Sequence, residues 1–488
     1  MTTPSRSAPP LTTQTASEWA RRNLFNSWYN SLLTLVLGVV AGYLTYRSIM
    51  FVAVNGRWSP VRVNLTLFMT GTFPRNEQWR LVAQIYLMAA SIGIAWGAIT
   101  ASAADRAVDS GVTANRPSAL DLLRRYWSLL LLVAVILGLT RTVWPIVFAF
   151  TALIGGLGLR SATHRLPRSW RQISWYIAAA LGIASFQVLT GTGGISWWWA
   201  SALFSFAALQ FASARDFTKY LGTGLVKPFS RSSRLVTAKD LARFKRVAQV
   251  SSVVTAVVAV RAIYWLIGDT SSVGWDKWSG FHLTLVASFA AIILAFPIGM
   301  LLALGRRSSL PTVRLLSVSY IEFFRGVPLI TLLFTGDLFI GFFLDTDTPL
   351  SAITRAIIML TIFTSAYVAE IVRGGLQAVP NGQIEAGQAS GLATPAIMRL
   401  IVLPQALRAV IPAMVGQFIS LFKDSSLLSI ISIVEFLEVR TLVHTQEAFR
   451  GFGIAETLAF VAFGYWAITY AMSKESERLE RQLGVGER

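Results

Sequence analysis

Charged and hydroxyl side chains interrupt several long apolar stretches of this chain, and these are the places where chemistry is expected. Asp337 stands inside LLFTGDLFIGFF, and the run Lys423, Asp424, Ser425 and Ser426 interrupts another apolar stretch. A carboxylate near the centre of a bilayer costs about 2.5–3.5 kcal/mol on insertion scales, so it faces a pathway or a partner. We interpret both features as substrate-pathway candidates. For Asp337, a helix–helix hydrogen bond is an equal alternative.

Other chemistries lack their residues. The 488 residues include no cysteine, which excludes disulfides and thiolate-metal sites, and the three histidines have no HExxH-like spacing. A P-loop needs G-x-x-x-x-G-K-[ST], and the nearest stretch, GTGLVKPFS at 222–230, lacks the glycine beside the lysine. We therefore expect no catalytic residue, no metal and no cofactor bound by this chain.

The elements that must position the polar residues are membrane helices. The chain is 54% hydrophobic and 14% charged, whereas soluble domains carry about 25% charged residues. A helix needs about 20 mainly apolar residues to cross a bilayer. The sequence predicts an all-α polytopic membrane protein of about 12 transmembrane helices, at 31–54, 82–100, 127–140, 142–159, 174–190, 195–212, 247–268, 281–304, 317–343, 351–375, 406–434 and 453–473.

The distribution of basic residues predicts the orientation of these spans. With residues 1–30 as a cytoplasmic tail, 28 of the 43 Lys and Arg fall in cytoplasmic segments and 8 in outer ones. Because basic loops are retained in the cytoplasm, both termini are predicted to be cytoplasmic. Four arginines at 55–81 oppose this rule. The basic stretch 213–246 is interpreted as a cytoplasmic loop at anionic headgroups and not as a nucleic-acid site.

Ion pairs are expected near the cytoplasmic ends of two spans. Glu322 and Arg325 are three residues apart, as are Glu370 and Arg373. At this spacing the side chains share a helical face, so intrahelical or interhelical pairing is the preferred interpretation. The sequence RGVP at 325–328 places a proline where a helix begins or kinks.

The segment between the tenth and eleventh spans is too polar and too rich in small residues for lipid. It includes EAGQASGLATPAIMRLIVLP at 385–404. Pro380 and Asn381 favour a helix start, and Gly391 favours a left-handed helix end. We predict a short first helix whose small side chains, Ala386, Gly387, Ala389, Ser390 and Gly391, let another protein approach the backbone.

A second short helix is predicted directly after this turn. Thr394 and Pro395 are typical of an N-cap and a first helical residue. Leu403 and Pro404 are expected to stop the helix. The whole segment is therefore predicted to be a helix–turn–helix at the membrane surface that docks a partner.

This segment resembles the EAA loop of ABC-importer permeases. The match consists of a Glu-Ala pair, a glycine after a fixed interval and an Ile-x-Leu-Pro ending, carried by Glu385, Ala386, Gly387, Gly391, Ile401, Leu403 and Pro404. Gly387 departs from the alanine usual in the family. The stretches YIEFFRGVPLITLLF, SAYVAEIVRGGLQAVP and FKDSSLLSIISI are similar to permeases for polar amino acids.

The resemblance implies an architecture: an N-terminal multi-spanning extension (1–246), a connecting helix and outer loop (247–278), a five-helix permease core (279–473) and a cytoplasmic tail (474–488). The long extension is similar to that of general L-amino-acid permeases. The family places the region of Lys423 to Ser426 beside the translocation path.

The resemblance also implies a function. This is an alternating-access permease subunit for polar L-amino acids in a bacterial inner membrane. A separate ABC ATPase subunit would bind ATP and Mg²⁺ and dock on the loop. A second permease subunit, either another copy or a related chain, and a periplasmic amino-acid-binding protein are the other expected partners. The long N-terminal extension favours a related chain. The alternatives are an ion-coupled secondary transporter, which requires matching halves that the sequence does not display, and a non-transporting membrane scaffold.

Overall fold

The computed structural model describes residues 15–109, 121, 124, 126–139, 144–167, scattered positions between 171 and 189, 277–343 and 350–483. Within these ranges the chain is helical, with one isolated β-bridge between Gly280 and Glu435 and no strand. The predicted all-α class is confirmed. The predicted spans 195–212 and 247–268 lie outside the described residues.

The first part of the described chain holds long apolar helices and short connecting ones. The helices are α1 (Ala16–Asn23), α2 (Trp28–Met50), α3 (Ser59–Val63), α4 (Leu65–Thr70), α5 (Trp79–Asp109), α6 (Trp127–Leu139) and α7 (Trp144–Arg165). A π-helical turn, Phe51–Asn55, extends α2, and a 3₁₀ turn, Arg75–Glu77, precedes α5. Thr15 and Glu18 form a capping box at the start of α1.

The second part contains the longest buried helices. They are α8 (Gly280–Arg306), α9 (Pro311–Gly326), α10 (Leu329–Phe343), α11 (Ala352–Ala378), α12 (Asn381–Ala389), α13 (Thr394–Ile397), α14 (Leu403–Asp424), α15 (Val439–Thr445) and α16 (Ile454–Leu483). A π-helical segment, Met398–Val402, joins α13 to α14. A 3₁₀ helix, Ser425–Ile431, follows α14.

Within the described residues, six helical segments are long and apolar enough to cross a membrane, or seven if one bent pair counts as a span. The protein is therefore a polytopic helical membrane protein, while the number of twelve stays a prediction. The segment predicted at 127–140 forms α6, which has 13 residues. Residue 140 lies outside the described residues.

The predicted ninth span, 317–343, is wrong as one helix. The chain forms α9 and α10 instead, bent by 107° at residues 327 and 328. The residue before a proline is pushed out of the α region, and Val327 has φ −96° and ψ 133°. Pro328 thus ends α9 and lets α10 begin, as the RGVP sequence indicated.

The helices after residue 277 pack side by side and define two ends of a bundle. Gly299 of α8 lies directly against Ser365 and Val368 of α11. At one end, Arg307 Nη1 donates to the carbonyl of Leu376 at 3.2 Å. We call this the loop end, because residues 381–403 follow it. At the opposite end, the amide of Gly280 donates to the carbonyl of Val434 at 2.8 Å.

Each end has its own buried apolar cluster. The loop-end cluster joins α8, α9, α11 and α14 through Ala303, Ile321, Val368, Ala369, Val372, Leu376, Val379, Ile397, Val402, Ala406, Val410 and Met414. The opposite-end cluster joins two regions distant in sequence through Val61, Leu65, Phe68, Phe436, Val439, Val443, Phe460 and Val461. The short helices α3 and α4 are therefore built into the C-terminal bundle.

Candidate functional site

The predicted docking segment folds into a short helix with a glycine cap. Pro380 is extended, with φ −60° and ψ 137°, and α12 follows it. Gly391 has φ +75°, which confirms the predicted left-handed helix end. The amide of Leu392 donates to the Gly387 carbonyl and that of Gly391 to the Gln388 carbonyl, so the end is a Schellman motif. Free carbonyls of α12 are thereby satisfied, and the turn is fixed.

The second helix of the segment differs from its prediction at both ends. It begins at Thr394, one residue earlier than expected, with the Ala393 carbonyl accepting its first bonds. The predicted stop at Leu403 and Pro404 is wrong. The Leu403 amide donates to the Met398 carbonyl five residues back, and α14 starts with Pro404 in its first turn. Proline is tolerated there because its missing N–H needs no partner.

Gly387 faces inward and not toward a partner, unlike its neighbours on α12. It is the buried residue of the helix, and an added Cβ would lie 3.0 Å from Ile397 Cγ1 and 3.2 Å from Ile401 Cδ1. Our prediction that Gly387 helps a second protein approach is therefore wrong. The small residue instead allows α12 to pack closely on the second helix.

The remaining residues of the segment divide into an exposed set and a packed set. Glu385, Ala386, Gly391 and Pro404 are exposed, while Ile401 and Leu403 are half-buried. Ile401 and Leu403 pack against the loop-end cluster. The segment thus presents an acidic, small-sided face outward and is anchored through its apolar residues to the helix bundle.

The predicted ion pairs form one network at the loop end. Glu370 forms an ion pair with Arg373 on α11. Its Oε2 also lies 3.5 Å from Arg306 Nη1 and 3.9 Å from Arg325 Nη1. Glu322 pairs with Arg306 of α8 at 3.0 Å, across helices and not with Arg325. Three arginines and two glutamates from α8, α9 and α11 therefore hold these helix ends together beside the docking segment.

Asp337 has a protein partner in this structure. Its Oδ1 lies 2.9 Å from Arg355 Nη2, so α10 is paired with the start of α11. The two side chains are 26% and 20% exposed. This contact is the helix–helix alternative foreseen for Asp337. A role in the substrate pathway stays a prediction.

The polar run at 423–426 lies where α14 changes into a 3₁₀ helix. Ser425 is buried and donates to the Phe422 carbonyl at 2.6 Å, while Lys423 is exposed and Asp424 is half-buried. The carbonyl of Ser426 accepts a bond from Ser429 at 2.8 Å. No ion pair of Lys423 or Asp424 is seen in the described part of the chain. A role of either charge in the substrate pathway stays a prediction.

Glu435 is a buried carboxylate that the sequence analysis missed. Its side chain is fully buried and accepts bonds from Tyr465 Oη at 2.8 Å and the Glu438 amide at 2.8 Å. Thr284 Oγ1 lies 3.5 Å away. Burial raises the pKa of Glu435 to about 7. It stands just after a predicted span, so its position gave no signal of burial.

Known proteins resemble this chain in the same region. Residues 295–472 match the family described as binding-protein-dependent transport system inner membrane component. The probable glutamine ABC transporter permease protein GlnP of Bacillus subtilis is 37% identical over 204 residues, which are 42% of this chain and 91% of that protein. The chain belongs to this family of transport permeases.

Two longer relatives are matched over only part of their length. The inner membrane amino-acid ABC transporter permease protein YhdY of Escherichia coli is 41% identical over 235 residues, 47% of this chain and 64% of that protein. The glutamate/glutamine/aspartate/asparagine transport system permease protein BztC of Rhodobacter capsulatus is 44% identical over 209 residues, 43% of this chain and 48% of its own length. The matched part therefore spans less than two thirds of either relative.

Proposed function

We propose that this chain is the permease subunit of an ATP-driven ABC importer for polar L-amino acids, working by alternating access. The observation that carries the proposal is α12, a surface helix with Glu385 and Ala386 exposed and Gly387 packed on the bundle. The relatives named for glutamate, glutamine, aspartate and asparagine transport support the substrate class. ATP and Mg²⁺ would be bound by a separate ATPase.

Packing behind α12 supports a mechanical role. Gly387 lies against Ile397 and Ile401, and Ile397 belongs to the loop-end cluster with Val372 and Leu376 of α11. Because packed interiors transmit strain, a push on α12 is passed directly to the spanning helices. The coupling loop is therefore Glu385 to Pro404, with an outer contact face and an inner anchoring face.

The remaining features of the proposed assembly are those predicted from the sequence. It comprises twelve spans with both termini in the cytoplasm, a five-helix core at 279–473, a second and related permease chain, and a periplasmic amino-acid-binding protein. The location is the inner membrane. Asp337 and the Lys423–Ser426 run would line the substrate path, where the charges of Lys423 and Asp424 match the carboxylate and ammonium of an amino acid.

The test compares two matched double variants. Glu385→Arg with Ala386→Trp changes the proposed contact face. Glu447→Arg with Ala448→Trp makes the same changes at an equally exposed Glu-Ala pair at the opposite end. Each variant is purified with its candidate ATPase, and the retained ATPase and ATP-driven uptake of radiolabelled glutamate and glutamine into proteoliposomes are measured.

We expect the first variant to lose the ATPase and uptake, and the second to retain the ATPase. Equal ATPase retention by both variants would contradict the coupling role of this loop. Uptake by the wild type that stops with a proton uncoupler and continues without the ATPase would show an ion-coupled secondary transporter. No uptake and no ATPase binding by any form would indicate a scaffold.

A further inference from the structure

The segment from Arg57 to Phe73, which we call the strap, is bonded to the C-terminal bundle at two places. At its start, the Arg57 amide donates to Glu456 Oε1 at 2.6 Å. Pro60 also packs closely on Gly453, since a Cβ added to Gly453 would lie 2.7 Å from Pro60 Cγ. At its end, the Thr72 amide donates to Ser279 Oγ at 2.6 Å. The strap therefore joins the start of α16 to the start of α8.

The middle of the strap is held by apolar packing and one amide pair. Phe68 is fully buried, with its ring centroid 5.3 Å from that of Phe460 and 6.2 Å from that of Phe436. Gln446 Nε2 donates to Asn64 Oδ1 at 2.9 Å. Strap and bundle thus share one continuous surface at the opposite end, with the orientation of its residues fixed.

The exposed charges on this joint surface are mostly basic. Five side chains are exposed on the strap and the adjoining residues, namely Arg57, Arg62, Arg75, Lys277 and Arg450. Arg57 lies over the ring of Phe452 at 5.0 Å, and Arg450 stands two residues before Phe452 in the sequence. Lys277 stands two residues before Ser279, the residue bonded to Thr72, and Arg75 stands three residues after Thr72. None of the five is ion-paired within the described part of the chain.

Carboxylates in the same described stretches do not balance these charges. Glu435 and Glu456 are buried, Glu77 pairs with Arg80, Glu438 is half-buried, and Glu447 is exposed. Under the proposed topology this surface is periplasmic. There the arginines of the strap oppose the usual retention of basic residues in the cytoplasm. An attractive partner on that side would explain why they are present.

We infer that the basic surface of the strap is a docking face for an acidic surface of the periplasmic amino-acid-binding protein. This inference rests on the proposed function. It assigns a role to the first loop of the N-terminal extension. Complementary charges at the rim of an interface mainly steer association, and salt screens them. The contribution of the strap is therefore expected in the association rate and in its salt dependence.

The experiment uses two charge-matched triple variants of the full chain, assembled with its partner permease and ATPase in nanodiscs. The first is Arg62→Glu, Arg75→Glu and Lys277→Glu, leaving Arg57 in its contact with Phe452. The control is Arg21→Glu, Arg314→Glu and Arg408→Glu, three exposed arginines away from the strap. Binding of the amino-acid-binding protein that supports uptake is measured at 50 and 500 mM KCl by interferometry.

For the strap variant we expect Kd to rise about tenfold at low salt, mostly through a slower association rate, and the difference to shrink at high salt. The control should bind like the wild type. Equal affinities for both variants would overturn the inference while leaving importer function intact. The inference would also be overturned if the strap variant still binds the binding protein but no longer binds vesicles of anionic phosphatidylglycerol. The basic surface would then recognise lipid headgroups. A wild type that binds no such protein would contradict the proposed function itself.

Discussion

Helices α2 and α11 are similar in length and apolarity but differ entirely in their surroundings. Both qualify as membrane spans, yet among the described residues none of the apolar stretch of α2 is buried, against 61% of that of α11. Large side chains such as Leu35, Val39 and Tyr43 cover α2, whereas α11 buries Ala366, Ala369, Thr364 and Ser365. Small residues allow close helix packing in membranes. Apolarity thus predicts that both helices span a membrane, but it does not tell which of them packs within the bundle.

The largest expected change in stability comes from a glycine-to-alanine substitution in α11's packed partner α8, compared with the same substitution in the exposed α2. In Gly299→Ala, the Cβ would lie 2.6 Å from Val368 Cγ1 and 2.7 Å from the Ser365 carbonyl oxygen. We expect the free energy of unfolding to fall by about 3 kcal/mol, since the α11 backbone must move. In Gly42→Ala on α2, no described residue lies within 4 Å of the added Cβ, and a gain of up to about 1 kcal/mol from helix propensity is expected. Unfolding in mixed detergent micelles measures both. A destabilised Gly42→Ala would show that α2 is packed after all.

The charged residues of the spans sharpen the same contrast. Arg355→Met leaves Asp337 without its partner, and we expect a loss of about 2 kcal/mol in unfolding free energy, reduced from the fully buried case by partial exposure. Adding Asp337→Asn should restore most of it. The matched control is Arg47→Met on the exposed α2, with an expected change below about 0.5 kcal/mol. Equal losses at Arg355 and Arg47 would show that the ion pair contributes nothing.

Glu435 should make stability depend on pH. Its pKa is raised to about 7 by burial, from an ordinary value of 4.5. A carboxyl with a raised pKa stabilises the fold fully below its unfolded pKa, and this stability is lost as the pH rises through the folded value. Between pH 5 and pH 8 we expect about 2 kcal/mol of unfolding free energy to be lost. In Glu435→Gln this loss should disappear. A wild-type profile parallel to that of Glu435→Gln would refute the buried carboxyl as its source.

The smallest expected effect repeats the glycine substitution at the docking segment. In Gly387→Ala, the nearest atoms belong to the side chains of Ile397 and Ile401 at 3.0 and 3.2 Å, and a shift of a few tenths of an ångström relieves the contact, whereas Gly299 faces the backbone of Ser365. The cost of this contact and the gain in helix propensity should cancel to within about 1 kcal/mol. Binding of the ATPase should be unchanged, because Gly387 faces inward. A lost ATPase in a stable Gly387→Ala variant would place this residue on the contact face.

Features encoded by neighbouring residues could be predicted from the sequence. The left-handed end at Gly391 and the break at Pro328 depend on backbone sterics within a few residues, and both are found. The expected stop at Pro404 is wrong because the π-helical segment Met398–Val402 leads directly into α14, which has Pro404 in its first turn. Local rules thus locate the helix ends at Gly391 and Pro328, but not the continuation of the helix through Pro404.

Features that depend on distant partners could not be predicted. Glu435 is buried against Thr284 and Tyr465, which lie on α8 and α16. Phe68 of the strap packs on Phe436 and Phe460, which are far from it in the sequence. The pairing of Glu322 with Arg306 in place of Arg325 has the same origin. Spacing along one helix gives the face of a side chain, but the neighbouring helix decides its partner.

The central claim is that the exposed face of α12 contacts the ATPase, and the absence of native cysteine allows a direct measurement. Glu385→Cys and Glu447→Cys are each combined with an ATPase that carries a single cysteine in its permease-facing groove, and disulfide formation is measured under mild oxidation. We predict a cross-linked product with Glu385→Cys, broken by reductant, and none with Glu447→Cys. Absence of the product at position 385 in an assembled, ATP-hydrolysing complex, for every groove position tried, would contradict the claim.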